Sequence, residues 1–146
     1  MLQVRSLLHP KDIKVLIVDD HMVVRTMVKN SCAEMGFIDF SYAQDGAEAL
    51  ELIKSGEFDI VLLDWTMPRM SGLDVLKAVR ADRAYDGLAL VMVTAEAEKE
   101  RVLEAMEHGI TSYIIKPFFQ ADFEQKMKGV LAWLKEHKKT RTWRGD

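Results

Sequence analysis

Val15-Leu16-Ile17-Val18-Asp19-Asp20 is a run of four apolar residues that ends on two aspartates. It is short, rich in β-branched side chains and free of polar alternation, which reads as a strand buried on both faces. The same form recurs downstream. Ile60-Val61-Leu62-Leu63 ends on Asp64, Leu88 to Val93 ends on Thr94, and Tyr113-Ile114-Ile115 ends on Lys116-Pro117. A fifth run, Ile38-Asp39-Phe40-Ser41-Tyr42, alternates apolar and polar and suits an edge strand with one wetter face.

Amphipathic segments fill the gaps. Val24, Met27, Val28, Ser31, Cys32 and Met35 share one helical face, and Gly36 supplies the stop. Asp45-Gly46-Ala47-Glu48 and Ser71-Gly72-Leu73-Asp74 have the form of helix starts. The first opens a helix ending near Gly56, the second a helix with Leu73, Leu76 and Val79 inward. A fourth helix carries Val102, Leu103 and Met106 and stops at Gly109. The fifth is expected to bury Phe119, Phe123, Met127, Val130, Leu131 and Leu134. Strand and helix thus alternate five times, which argues an α/β fold with a parallel sheet covered on both faces. Right-handed crossovers leave few topologies. The flavodoxin-like doubly wound (βα)5 order 2-1-3-4-5 puts the alternating second strand at an edge.

The 146 residues suffice for one domain, read as a flexible arm over 1–11, a folded unit over 12–136 and a basic tail over 137–146. Net charge is −3, and the basic residues are scattered or confined to the tail, so neither nucleic acid nor an anionic membrane is expected as a partner. The stretch from Lys135 to Asp146, which runs into that tail, carries Lys135, Lys138, Lys139, Arg141 and Arg144 and reads as the solvated end of the last helix. Leu2, Val4, Leu7 and Leu8 lack the pattern of a signal peptide, and no apolar run is long enough to span a bilayer. The single cysteine, Cys32, has no internal partner and sits in an apolar stripe, as a buried small hydrophobe does. It fits a reducing cytoplasm.

In an open α/β sheet the functional crevice lies at the carboxyl ends of the strands, near the point where strand order reverses. Asp19, Asp20, Asp64, Thr94 and Lys116 all fall there. Three carboxylates so close together repel one another unless a proton or a cation joins them. Magnesium suits all-oxygen ligands and accepts phosphate oxygens as well. Lys116 adds a positive charge and Thr94 a hydroxyl donor. Around one free carboxylate these groups make a place for a phosphoryl group, whose transfer needs positioning and charge neutralisation. His21 follows the acid pair, but imidazole is a poor ligand for magnesium.

Four words carry a resemblance: Val15-Leu16-Ile17-Val18-Asp19-Asp20, Asp64-Trp65-Thr66-Met67-Pro68, Met92-Val93-Thr94-Ala95-Glu96-Ala97 and Tyr113-Ile114-Ile115-Lys116-Pro117-Phe118. In this order and spacing the chain resembles the response-regulator receiver domains, and among them the single-domain chemotaxis regulators of the CheY type. The resemblance runs from about Ile13 to about Leu134. It implies that Asp64 is the phospho-acceptor and that Asp20, Asp64 and the backbone carbonyl of Thr66 bind magnesium, with Asp19 helping through water. Manganese or calcium can substitute. It further implies that Lys116 pairs with the phosphoryl group and is joined to Pro117 by a cis peptide. Thr94 is expected to swing in to hydrogen-bond that group, and Tyr113 to pass from exposed to buried as the switch fires. One departure stands out. Two residues after the acceptor, the chemotaxis regulators usually carry an amide that tunes self-dephosphorylation; here that residue is Thr66, while Glu96 fills the second tuning position.

The resemblance implies a stand-alone, monomeric receiver that catalyses only its own phosphorylation and dephosphorylation. Its partners would be a sensor histidine kinase, a chemotaxis kinase in particular, and a downstream protein such as the flagellar motor switch. The expected contact surface is Ala97, Val102, Ile110, Tyr113 and Ile115. A phosphorelay intermediate or kinase-regulating receiver outside chemotaxis is the alternative. An aspartate-nucleophile phosphatase needs a second aspartate where Thr66 stands, and no glycine-rich nucleotide loop is present.

Overall fold

A computed structural model describes residues 9–137. A 3-10 turn at Pro10–Asp12 leads into β1 (Lys14–Val18), α1 (Met22–Ala33), β2 (Asp39–Ala43), α2 (Gly46–Ser55), β3 (Ile60–Leu63) and α3 (Gly72–Arg80). A second 3-10 turn, Arg83–Tyr85, precedes β4 (Ala89–Thr94), α4 (Lys99–Glu107), β5 (Ser112–Ile115) and α5 (Gln120–His137). All five strands are parallel, in the order β2-β1-β3-β4-β5. This is the flavodoxin-like (βα)5 sheet that the alternation predicts, with β2 at the edge. The segment 1–8, expected to form part of an arm, and the tail residues 138–146 lie outside the described residues.

Side chains alternate across the sheet and build two cores. Leu16, Val18, Val61, Leu63, Leu90 and Met92 face α2, α3 and α4, packing on Ala49, Ile53, Leu76, Val79 and Ala105. Val15, Ile17, Ile60, Leu62, Val91, Val93 and Ile114 face α1 and α5, packing on Val28, Cys32, Phe123, Met127, Val130 and Leu134. Central strands buried on both sides are why these runs are apolar without interruption. Burial pushes the Cys32 thiol up to about 12, so it packs as a neutral hydrophobe.

The predicted helix starts are real caps. Asp45 accepts the Glu48 backbone N–H at 2.8 Å, and the Glu48 carboxylate accepts the Gln44 N–H at 2.7 Å. The Ser71 hydroxyl accepts the Asp74 N–H at 3.1 Å. The Glu48 and Asp74 N–H groups are donors that the first turn of a helix leaves unpaired. Gly36, at φ +101°, takes the left-handed conformation that ends α1.

Several apolar residues expected inward face water instead. Met27 is exposed, and α1 buries Val28, Ser31 and Cys32. On α4 the inward strip is Ala105, with Val102 half-buried beside it, whereas Leu103 and Met106 are exposed. A helix nine residues long that packs on the core through Ala105 and Val102 buries only a narrow strip, and Leu103 and Met106 fall outside it. Phe119 precedes α5 and is 80% exposed, because its neighbour Phe118 turns in and stacks on Phe123 at 5.0 Å. In the edge strand Ala43 is buried and Phe40 packs half-buried on the other core, while Ile38 stands before the strand and Tyr42 is exposed.

Candidate functional site

Strand register determines what meets at the carboxyl end of the sheet. Val18 is level with Leu63, so Asp19 and Asp64 leave adjacent strands side by side. The Asp64 N–H donates to the Val18 carbonyl at 3.1 Å, and the Asp19 N–H to Ala43 at 3.2 Å. Thr94 is level with Ile115, and the Lys116 N–H donates to the Thr94 carbonyl at 2.9 Å. The peptide bond from Lys116 to Pro117 is cis. Behind Asp64 the chain turns sharply into α3, and a Cβ on Gly72 would collide with the Asp64 carbonyl. Only glycine allows the helix start to lie this close to the strand end.

The Lys116 ammonium lies between two carboxylates, 3.1 Å from Asp19 Oδ2 and 3.4 Å from Asp64 Oδ2. All three side chains are largely withdrawn from water: 14% exposed for Lys116, 4% for Asp19 and 12% for Asp64. The second Asp19 oxygen accepts the His21 N–H at 2.9 Å, and the Asp19 carbonyl accepts from Arg25 Nη1 at 2.6 Å. Asp20 is more exposed, with its Oδ1 3.2 Å from His21 Nδ1. The expected carboxylates and the lysine thus converge, and Asp19 rather than Asp20 makes the direct contact with Lys116.

Thr94 is buried, and its hydroxyl accepts the Glu96 N–H at 3.2 Å. That leaves the hydroxyl proton available to a group in the pocket. Tyr113 is buried, not exposed, and its phenol donates to the Glu96 carbonyl at 2.6 Å. Burial first, and the Glu96 carboxylate second, push the Tyr113 phenol up to about 12, so it remains a donor at any physiological pH. Thr66, three residues beyond β3, and Glu96, two beyond β4, meet at the rim, where the Thr66 hydroxyl donates to Glu96 Oε2 at 3.2 Å. Of the expected partner surface, Ile115 and Ala97 are exposed, while Val102 and Ile110 are half-buried against the core.

Three further residues were not legible in the sequence. Arg25 reaches the Asp19 carbonyl from α1. Arg101, on α4, places its guanidinium 4.9 Å from the centre of the Trp65 ring. Asp59, at the far end of β3, is fully buried and accepts the Lys14 N–H at 2.9 Å, locking β1 to β3. A charged residue next to a buried strand is the only sequence signal for Asp59, and solvated loop residues share it. Trp65, whose place beside the acceptor suits either packing or a partly exposed ring, is buried, 5% exposed.

The donor set fits a hard divalent cation. Asp19, Asp20 and His21 each bring a possible ligand atom within 4.8 Å of the others. Two of these are carboxylate oxygens, and Asp64 lies across the Lys116 ammonium from Asp19. Against one ammonium, three carboxylates leave an excess of negative charge, and oxygen ligands of this kind suit magnesium better than a softer metal. No helix among the described residues is long and apolar enough to cross a membrane.

Comparison with known proteins gives the family. The response regulator receiver domain model matches residues 15–128. Chemotaxis protein CheY-3 of Vibrio cholerae is 44% identical over 117 residues, which cover 80% of this chain and 90% of the relative. Chemotaxis protein CheY of Pseudomonas aeruginosa is 41% identical over 117 residues, covering 80% and 94%. The solved structure of CheY4 from Vibrio cholerae superposes with a TM-score of 0.73 at 33% identity, over 81% of this chain and 98% of that one. A CheX-CheY-BeF3-Mg2+ complex from Borrelia burgdorferi gives a TM-score of 0.74 at 30% identity, over 81% and 88%. The chain therefore belongs to the response regulator receiver domain family, and these curated relatives are chemotaxis regulators.

Proposed function

We propose that this chain is a single-domain response regulator that takes a phosphoryl group from a histidine kinase onto Asp64 and signals through protein contact. The observation that carries the reading is the Lys116 ammonium held between the buried carboxylates of Asp19 and Asp64, beside the buried Thr94 hydroxyl. One Asp64 oxygen attacks phosphorus as the bond to the donor nitrogen breaks, and that bond's electron pair returns to the donor imidazole. Lys116 exchanges its contact with the Asp64 carboxylate for one with a phosphoryl oxygen. Thr94 donates its free hydroxyl proton to another. Asp19, Asp20, Asp64 and the Thr66 carbonyl are the groups that would hold magnesium. When bound, the ion neutralises charge on the phosphoryl oxygens.

Drawing Thr94 toward the phosphoryl group favours the arrangement in which Tyr113 stays buried under Glu96, a shift between states that already exist. The α4–β5 face would then present Ala97, Val102, Ile110, Tyr113 and Ile115 to a partner. The kinship with chemotaxis regulators supports a chemotaxis kinase as donor and the flagellar motor switch as target. With beryllofluoride and magnesium as a phosphoryl mimic, a motor-switch peptide should bind at least about tenfold more tightly than it binds the untreated protein. Fluorescence anisotropy of the labelled peptide measures this. Equal binding in both states would remove the motor from the reading and favour a phosphorelay or kinase-regulating receiver.

Thr66 sets the lifetime of the phosphoryl group. Its hydroxyl is already committed to Glu96, and it offers no amide to orient an attacking water. The wild-type aspartyl phosphate should therefore outlast that of Thr66→Asn by about tenfold, the size of one lost positioning contact. Phosphate release after a single loading gives the two rates, and equal rates would refute this assignment.

A further inference from the structure

Arg101 lies on α4 and leans back over the rim of the pocket. Its Nε is 3.9 Å from Glu96 Oε1, while the other Glu96 oxygen accepts the Thr66 hydroxyl at 3.2 Å. The same guanidinium lies 4.9 Å from the centre of the Trp65 ring. Trp65 follows Asp64 directly and is buried, so the ring is a fixed platform rather than a mobile partner. Glu96 is itself anchored through its backbone, which donates to Thr94 and accepts from Tyr113. The carboxylate is thus held from both sides, by Thr66 from the β3 loop and by Arg101 from the output helix.

We propose that Arg101 is a positioning residue for hydrolysis of the aspartyl phosphate: stacked on Trp65, it holds the Glu96 carboxylate at the pocket mouth, where that carboxylate orients the attacking water. This rests on the reading of Asp64 as acceptor and deepens it. In that step the water oxygen bonds to phosphorus and the bond from phosphorus to the Asp64 oxygen breaks. The electron pair returns to the carboxylate, and the water's proton leaves with phosphate or to solvent. Glu96 accepts a hydrogen bond from the water and is not consumed. A planar guanidinium can stack on the indole face and still point an N–H at the carboxylate, which an ammonium cannot do equally well. An exposed ion pair alone would be worth little, but one backed by a buried ring restricts where the carboxylate can go.

The test is a double-mutant cycle on phosphoryl lifetime, using acetyl phosphate and magnesium to load the protein. Arg101→Ala should lengthen the lifetime about three- to fivefold, the size of one such contact. Glu96→Gln should do the same, and the double variant should match the single ones. Arg101→Lys should lie nearer Arg101→Ala than wild type, while thermal midpoints stay together. Independent effects in the double variant, or an unchanged lifetime in Arg101→Ala, would overturn the proposal.

A second readout needs no phosphoryl group. With Trp133 and Trp143 replaced by Phe, Trp65 emission should shift on Glu96→Gln when Arg101 is present and not when it is Ala. A shift independent of Arg101 overturns the contact itself. Failure of the wild type to load at all would overturn the acceptor reading and the hydrolytic role with it, while the emission cycle still decides whether Arg101 holds Glu96.

Discussion

Incubated with a small-molecule phosphodonor and magnesium, the wild-type chain is expected to gain the mass of one phosphoryl group, and Asp64→Asn to gain none. Asparagine keeps the shape of the side chain but offers a neutral amide, a far weaker nucleophile than a carboxylate. The substitution leaves the local fold in place. The Asp64 backbone N–H still bonds to Val18, and the turn over Gly72 is untouched. One negative charge fewer also relieves repulsion among the acidic groups. Loss of the adduct therefore reports chemistry, not unfolding, and intact-mass spectrometry reads it directly. A chelator should abolish the wild-type adduct as well, because the phosphoryl oxygens then meet three carboxylates with only Lys116 to offset them. An adduct that survives in Asp64→Asn would move the acceptor elsewhere. A wild type without adduct would leave a fold that binds partners without this chemistry, and beryllofluoride with Trp65 fluorescence would separate that case from a very short-lived phosphoryl group.

The second large effect concerns stability. Lys116→Met should lower the unfolding free energy by about 3 kcal/mol in the absence of divalent cations, the usual cost of leaving buried charges without their partner. Methionine fills much of the same volume, so lost packing contributes little. The loss comes from Asp19 and Asp64, both mostly buried and both within reach of the ammonium. Magnesium should restore part of it, since a ligand that binds only the folded chain stabilises that chain by mass action. The gain from magnesium should be larger in Lys116→Met than in wild type, where the ammonium already holds the ground the cation needs. Urea unfolding with and without magnesium measures all four values. Equal stabilities without magnesium would mean that the lysine contributes nothing to holding the carboxylates.

Both effects depend on residues that the amino-acid pattern singles out. A strand buried on both faces admits no polar side chain, so the first polar residue after each apolar run marks the strand's end. Parallel strands all end on the same side, which brings Asp19, Asp64, Thr94 and Lys116 to one crevice whatever the details of packing. Helix starts are equally plain at Asp45 and Ser71, because a cap is a local bond between residues three apart.

Features outside local pattern depend on packing. Periodicity identifies an apolar face but not how wide a strip the neighbour covers, so Met27, Leu103 and Met106 read as inward and stand in water. Adjacent phenylalanines at 118 and 119 are alike in sequence, and only the stack on Phe123 decides which one is buried. Tyr113 could point either way on its strand until the Glu96 carbonyl took its hydroxyl. The contacts of Thr66 with Glu96 and of Arg101 with Trp65 join loops and helices some thirty positions apart. Such contacts depend on strand register and on the path of each loop, which no short window of sequence contains. Residue pattern thus suffices for the sheet and the charges at its end, because burial dictates residue type strand by strand. Which side chains close over those charges is settled only in three dimensions, because it depends on where separate segments come to lie.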